Sequence, residues 1–345
     1  MSSLIRMFGI GGCGINLVSE YVGSLNALGD GFAKVEESYM DTSLNNISSV
    51  PNGESKFHLF TSKSLTKGEI SGSGGERKTH ATDIAQNVKE YLDKLGIKKS
   101  THEYAVVVFS TSGGSGSTAG PFLVKNLLEK NIPTVVIMIG DTTAGLSTIH
   151  TLNTIKSLDG IAKGAKKPLS VVYVNNETYI SSGGIKQAMK IANKHVFNTM
   201  CALSLFLSGD NNALDAQDMI NMIDQSNYTS LPVPPGLYGL NGFSKDVVIP
   251  EGSIGIGVRT LYQEGESPDV NFTPWHTKYG VLTEPNVIDK YKDMTPIHLV
   301  SYTNFFTSEV ARIEKLKVAL NNAMNAVEID DIAGNSKADE DGMVW

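Results

Sequence analysis

Two stretches of glycine and small hydroxyl residues each follow a short apolar run, and both are suited to holding an anion. Ser110-Thr111-Ser112-Gly113-Gly114-Ser115-Gly116-Ser117-Thr118-Ala119-Gly120 follows the run Tyr104 to Phe109. Gly9-Ile10-Gly11-Gly12-Cys13-Gly14 follows Leu4 to Phe8. Glycines let backbone N–H groups approach a phosphate, and hydroxyls add donors. A helix that follows turns its positive end to the charge. The Ser110–Gly120 stretch predicts a loop, then Pro121 in the first turn of a helix over Phe122 to Lys130. The Gly9–Gly14 stretch matches G-x-G-x-x-G between a strand and a helix start at Ile15 to Val22, the fingerprint of dinucleotide sites. Asp41 lies 27 residues after Gly14, where a Rossmann reading puts a carboxylate on a ribose. A third cluster, Gly72 to Lys78 with Gly74 and Gly75, is a surface loop or a further phosphate contact. Three clusters exceed what a dinucleotide needs and suit a compact triphosphate. No G-x-x-x-x-G-K-[ST] occurs, which excludes a P-loop.

The elements that must position these loops alternate through the first half. Strands are expected at 4–8, 37–40, 104–109, 134–139 and 169–174, and their β-branched, near-continuous apolar character predicts a parallel sheet covered on both faces. Ligands collect outside the carboxyl ends of such strands, so Asp141 after the fourth and Asn175-Asn176 after the fifth are expected to face the glycine loops. Residues 184–208 predict one long helix, with Ile185, Met189, Ala192, Val196, Met200, Leu203 and Leu207 at spacings of three and four. Its wide stripe places it between two domains. Leu231 to Gly236 reads as a loop. Strand-like segments at 247–249, 253–260, 279–283 and 296–302 predict a smaller second sheet, followed by a helix over 308–328. Residues 329–345 are acidic and polar until an apolar tip, too polar to fold alone.

Composition removes several classes. The 345 residues allow two domains. A formal charge of -7 argues against direct nucleic-acid or anionic-membrane binding. Two cysteines, Cys13 and Cys201, suit a reducing cytoplasm, and Cys13 reads as a small packing residue in its loop. No apolar run spans a bilayer, no signal peptide is expected, and the seven histidines show no metal-ligand spacing.

The order of motifs resembles the tubulin/FtsZ superfamily, and within it phage-encoded tubulin-like GTPases of the PhuZ/TubZ type. Ser112-Gly113-Gly114-Ser115-Gly116-Ser117 resembles the family's G-G-G-T-G-S signature, and Gly11-Gly12-Cys13-Gly14-Ile15-Asn16 its first phosphate loop. Asp41-Thr42 and Gly72 to Lys78 fall where its second and third nucleotide loops belong. Leu214-Asp215-Ala216-Gln217-Asp218 resembles the catalytic loop, and Asp339-Glu340-Asp341-Gly342-Met343-Val344 the acidic tail of the phage members. Three positions depart: Ser112 replaces a glycine, Met189 stands where an aromatic often stacks on the base, and Ala213 replaces a polar residue.

The resemblance implies an α/β fold with a GTP-binding domain (1–183), a central helix (184–208), a second, smaller α+β activation domain (209–307) and a C-terminal helix with acidic tail (308–345). GTP or GDP with Mg²⁺ would sit on Gly11, Gly12, Cys13, Asn16, Asp41, Gly74, Gly75, Ser112, Gly113, Gly114, Ser115, Gly116, Ser117 and Asp141. Asn176 and Asn193 would read guanine, with Met189 covering the base. Asp215 or Asp218 would polarise the attacking water or help place the cation, with no residue assigned as a direct metal ligand. If Asn193 touches the base, residues 193–208 carry the chain roughly 22 Å away, so Asp215 would serve a neighbour stacked head to tail. The expected protein is a filament-forming GTPase that partners itself and positions phage DNA or its compartment in the host bacterial cytoplasm. The tail would contact the neighbouring subunit, with Arg312, Lys315 and Lys317 as possible partners. The alternatives are a plasmid-partition filament and a Rossmann NAD(P)-dependent oxidoreductase.

Overall fold

Apolar runs in the first half form strands buried on both faces. The computed structural model describes residues 4–28, 31–50, 56–60, 80–99, 103–208, 211–212, 214–227, 233–242, 247–283, 288–289 and 295–325. Strands β1 (Leu4–Ile10), β2 (Lys34–Asp41), β3 (Phe57–Leu59), β4 (Glu103–Ser110), β5 (Thr134–Gly140) and β6 (Pro168–Asn175) are all parallel. Their order is β3-β2-β1-β4-β5-β6. The winding reverses between β1 and β4, and that reversal opens a crevice at the carboxyl ends of those two strands.

Alternate residues of each strand face opposite layers. Val106 and Val108 of β4 pack with α1 (Gly11–Leu28) and α5 (Ile185–Leu207). Ala105 and Val107 face α2 (Ala81–Leu95), α3 (Gly114–Glu129) and α4 (Gly145–Gly164). Full burial of one such aliphatic side chain contributes about 1.5–3 kcal/mol. Helix α5 matches the expected span, and every residue from Thr199 to Leu207 is buried. The buried Tyr104 hydroxyl donates to Leu203 O at 2.8 Å, and Ala33 N donates to Ser204 O at 3.3 Å. Both tyrosine and alanine sit where β4 and β2 begin. Helix α5 therefore runs from the carboxyl-end side of the sheet to its amino-end side.

Three expectations change. Helix α3 starts at Gly114 rather than Phe122, and Pro121 lies inside it. Glycine and serine disfavour helix locally, but here the segment is packed. Gly120 lies against the Phe109 ring so closely that a Cβ would come within 2.6 Å of it. Residues 247–249 are not a strand. A strand that the pattern did not suggest, β8 (Gly236–Gly242), takes up the segment just after the proline-rich loop. Its glycines hide it, because Gly239 leaves room for the Tyr302 ring and shows no strand-like side chain. β8 pairs with β6 from Pro168↔Gly236 to Val171↔Gly239. Through that pair, β7 (Asn211–Asn212), β8, β9 (Gly255–Tyr262), β10 (His276–Leu282) and β11 (Ile297–Tyr302) continue the first sheet instead of standing apart.

Helix α6 (Ala216–Ile223) follows β7, and α7 (Phe305–Asn325) closes the described chain, starting three residues before the expected 308. Phe306 and Ile313 of α7 join the α2–α4 layer. The tail lies outside the described residues. Among the described residues, no helix is long and apolar enough to cross a membrane.

Candidate functional site

The crevice between β1 and β4 holds a cavity of about 520 Å³. Gly11, Gly12, Cys13, Asp41, Ser112, Gly113, Gly114, Ser115 and Gly116 line it, so nine of the expected residues meet in one place. The two loops form one cradle. Gly11 has φ +65°, and a Cβ there would lie 3.0 Å from Gly116 N. Only glycine adopts that backbone and allows that approach without strain. Gly113 differs: its φ is -78°, and no protein atom lies within 4 Å of where its Cβ would be. The fold itself does not require a glycine there. The space a side chain would fill belongs to the cavity. Helix α3 begins at the next residue, so its first amides and positive end face that space. Ser112 adopts no left-handed backbone, so the missing glycine costs no strain.

Asp41 ends β2 and is buried. Its carboxylate accepts from Thr42 N at 2.7 Å and Asn46 Nδ2 at 2.8 Å, which fixes the turn beneath the cavity. The Thr42 and Ser115 hydroxyls lie 2.6 Å apart and tie that turn to α3. Ser110, the first residue of the longer glycine stretch, also lines the cavity, as do Ser43, Asn45 and Asn46, which were not singled out in the sequence. The only available signal was a polar run directly after a strand. Burial pushes the Cys13 thiol up to about 11, so it remains a neutral packing group.

Ser117, Asn16 and Asp141 are not among the residues that line this cavity. Ser117 is fully buried, and its hydroxyl donates to Gly114 O at 3.4 Å. Asn16 is exposed on α1. Asp141 accepts from Thr143 N at 3.0 Å and Thr143 Oγ1 at 2.7 Å, closing its own turn. Gly74, Gly75 and Ala213 lie outside the described residues.

A second wall stands at the carboxyl end of β6, two strands along the sheet from β4. Asn175 ends β6 and caps the short 3-10 turn Asn176–Ser182 by accepting from Glu177 N at 3.0 Å. Asn176 begins that turn, and its Oδ1 is buried with no hydrogen-bond partner. The turn packs on α5 through Tyr179 and His195, whose rings stack at 5.5 Å. Half-buried Asn193 and exposed Met189 lie on the same end of α5, one helical turn apart. An unpaired buried acceptor costs about 1–3 kcal/mol, and a ligand N–H would remove that cost. Glu177 also accepts from Arg312 Nη1 at 2.8 Å, and Glu309 accepts from Arg312 Nε at 2.8 Å. Arg312 is thus engaged within its own subunit; of the three cations considered for the tail, exposed Lys315 and half-buried Lys317 remain.

The carboxylate pair sits far from both walls. Asp215 caps α6 by accepting from Asp218 N at 2.8 Å, and Asp218 reaches back to Asp215 N at 3.5 Å. The C-terminal residue of α6, Ile223, accepts through its carbonyl from Ser170 Oγ at 3.0 Å, near the amino end of β6. Cavity and carboxylates therefore lie at opposite ends of the sheet, separated by about 26 Å for an eight-residue strand such as β4. Among the described residues lining the cavity, Asp41 is the one carboxylate, and it is already committed.

A model of the tubulin/FtsZ family GTPase domain matches residues 4–182. A phage tubulin-like protein of Pseudomonas phage 201phi2-1 is 24% identical over 83% of this chain and 87% of its own. One from Pseudomonas phage phiKZ is 25% identical over 47% of this chain and 46% of its own, so that match spans under half its length. Among solved structures, the PhuZ201 filament superposes with a TM-score of 0.71 at 21% identity over 99% of both chains. The phage tubulin PhuZ with GDP gives 0.72 at 23% identity, also over 99% of both.

Proposed function

The chain belongs to the tubulin/FtsZ family and carries its GTPase domain, and from that premise we propose that two subunits stacked head to tail complete each catalytic site. The family match decides against the nicotinamide-cofactor alternative. GTP is a substrate whose phosphates fit the cradle of Gly11 to Gly14 and Gly113 to Gly116. The edge of guanine offers N–H donors to the buried Oδ1 of Asn176, with Asn193 beside it and Met189 over the ring.

The observation that carries this reading is the separation of the two ends. Hydrolysis requires a positioned water and a group to polarise it. The cradle is rich in N–H and hydroxyl donors, while Asp215 is exposed at the opposite end of the same subunit. A head-to-tail contact brings one subunit's carboxylates over its neighbour's γ-phosphate. Such a contact, repeated without closure, makes a filament. Mg²⁺ suits this donor set: it favours phosphate oxygens and water over an all-protein cage, and no cluster of three His, Cys, Asp or Glu occurs among the described residues. When bound, it would share the phosphate charge; Thr42 and Ser115 are among the hydroxyls that line the cavity.

The division into residues 1–183, 184–208, 209–307 and 308–345 follows the same logic, with α5 spanning the two ends. The tail adds a tethered contact to the neighbour. The filament positions phage DNA or its compartment in the host cytoplasm. Phosphate release from GTP, measured against protein concentration, tests the shared site. The rate per subunit should rise with concentration and level off once filaments form. A constant rate at concentrations where only monomers exist would overturn it.

A further inference from the structure

Resting on that shared-site reading, we propose that Arg259 is a positioning residue for hydrolysis, holding the Asp215–Asp218 turn in the orientation a neighbour's nucleotide requires. Arg259 lies on β9 and is fully buried. Arginine keeps its charge in such a place, so a buried guanidinium needs acceptors around it. Its Nε and Nη2 both donate to the Asp218 carbonyl, at 3.2 and 3.0 Å. Its Nη1 donates to Val258 O at 3.0 Å and to His276 Nδ1 at 3.0 Å. That last bond needs an unprotonated Nδ1. Burial, with the adjacent guanidinium second, lowers the His276 pKa to about 4 and keeps the ring neutral.

The fork does more than satisfy helix α6. The orphan carbonyls of a helix lie in its last turn, and Asp218 is in the first. Its carbonyl therefore has an intrahelical role already, and Arg259 takes the second lone pair. A well-packed apolar side chain could fill the same space with less desolvation cost. What the planar fork adds is direction: two N–H groups on one oxygen fix the Asp218 main chain. The Asp218 side chain and its reciprocal bonds with Asp215 then move with β9. Lys278 of β10 stands 3.8 Å from Asp218 Oδ1, so a second cation from the same sheet borders the pair. The carboxylates are thus mounted on the second half of the sheet rather than on α5.

The test compares Arg259→Lys, which keeps the charge but loses the fork, with the wild-type full chain. GTP affinity at monomeric concentrations, assembly with a non-hydrolysable GTP analogue and hydrolysis at saturating GTP are measured for each. Affinity and analogue-driven assembly should stay within about twofold, while hydrolysis falls by about tenfold to a hundredfold, the scale of a misplaced catalytic group. His276→Asn, which restores an acceptor near Nδ1, should keep most of the rate; His276→Leu should lose it as Arg259→Lys does. That pair carries the test if Arg259→Lys does not fold. A folded Arg259→Lys with the wild-type rate overturns the proposal. So does a rate loss that tracks lost GTP affinity, or equal rates in His276→Asn and His276→Leu. Asp218→Ala separates the two ideas. If neither it nor Asp215→Ala lowers hydrolysis, the shared site itself fails. If it abolishes hydrolysis and Arg259→Lys does not, only the role of Arg259 fails.

Discussion

The cradle at one end of α5 and the carboxylate turn at the other are built by opposite means. The cradle is made of backbone, with glycines that admit a ligand and a helix end aimed at it. Almost nothing can be deleted from it, and almost any added atom obstructs it. The carboxylate turn is made of side chains: two aspartates that cap each other and a buried arginine that grips their helix. There, deletion does the damage. A binding site for a charge-rich ligand can rely on amides the chain already has, whereas a group that must polarise water needs a chosen side chain in a chosen place.

The sharpest break between the two ends comes from Asp215→Ala. It should leave GTP binding intact and lower hydrolysis by about a hundredfold or more, the range for loss of a general base. Filaments should form and persist, as light scattering with GTP would record; rapid disassembly at the wild-type rate would contradict the assignment. Adding atoms probes the other end. Gly113→Val meets open space at an ordinary φ, so thermal stability should fall by no more than the roughly 1 kcal/mol of a poorer helix N-cap. GTP affinity should nevertheless fall by about tenfold, because the side chain occupies phosphate space. A loss of stability without a loss of affinity would mean that the fold, not the ligand, needs this glycine.

Asn176→Ala should act in opposite directions on the two states. Removing an unpaired buried Oδ1 leaves the free protein as stable or more so. GTP binding should weaken by about 1–3 kcal/mol, and the preference over ATP should shrink. Equal wild-type affinity for GTP and ATP would sink the base-reading role. Deleting residues 330–345 should spare GTP binding and raise the critical concentration several-fold (~3–10), with high salt giving part of the same effect. Assembly of the truncated chain at the wild-type threshold would make the tail a passive extension.

Acidification gives the smallest effect. The His276 pKa is lowered in the folded chain, so the folded state binds fewer protons than the unfolded state between about 4 and 6.5. Its contribution is complete above pH 6.5 and is lost as pH falls toward 4. His58, His195 and His298 are lowered by burial in the same direction. With allowance for solvent screening, unfolding at pH 5 should be easier by about 1 kcal/mol than at pH 7, and His276→Gln should reduce that difference. A melting temperature independent of pH over this range would argue against a neutral, arginine-bound His276.

Much of this was legible in the chain. Strands β1, β2, β4, β5 and β6, with α5 and the two glycine loops, depend on local pattern: apolar runs, helical spacing, and residues whose backbone freedom is their function; the three-residue β3 is too short to carry such a signal. Such signals survive without knowledge of neighbours. Strand β8 and the early start of α3 were hidden because their glycines are there for partners, the Tyr302 and Phe109 rings, that lie far away in sequence. The polar residues Ser43, Asn45 and Asn46 became part of the cavity only when β2 was laid beside β1. Arg259 gave no sign at all, since one arginine in a strand is ordinary until the fold buries it. Its meaning depends on β9 meeting the first turn of α6, a contact that spans 41 residues of chain. Sequence alone thus determined where the chain could hold a phosphate. Only the tertiary structure decided which end of the sheet each functional group occupies, because direction and distance between elements are set by packing and not by any local pattern.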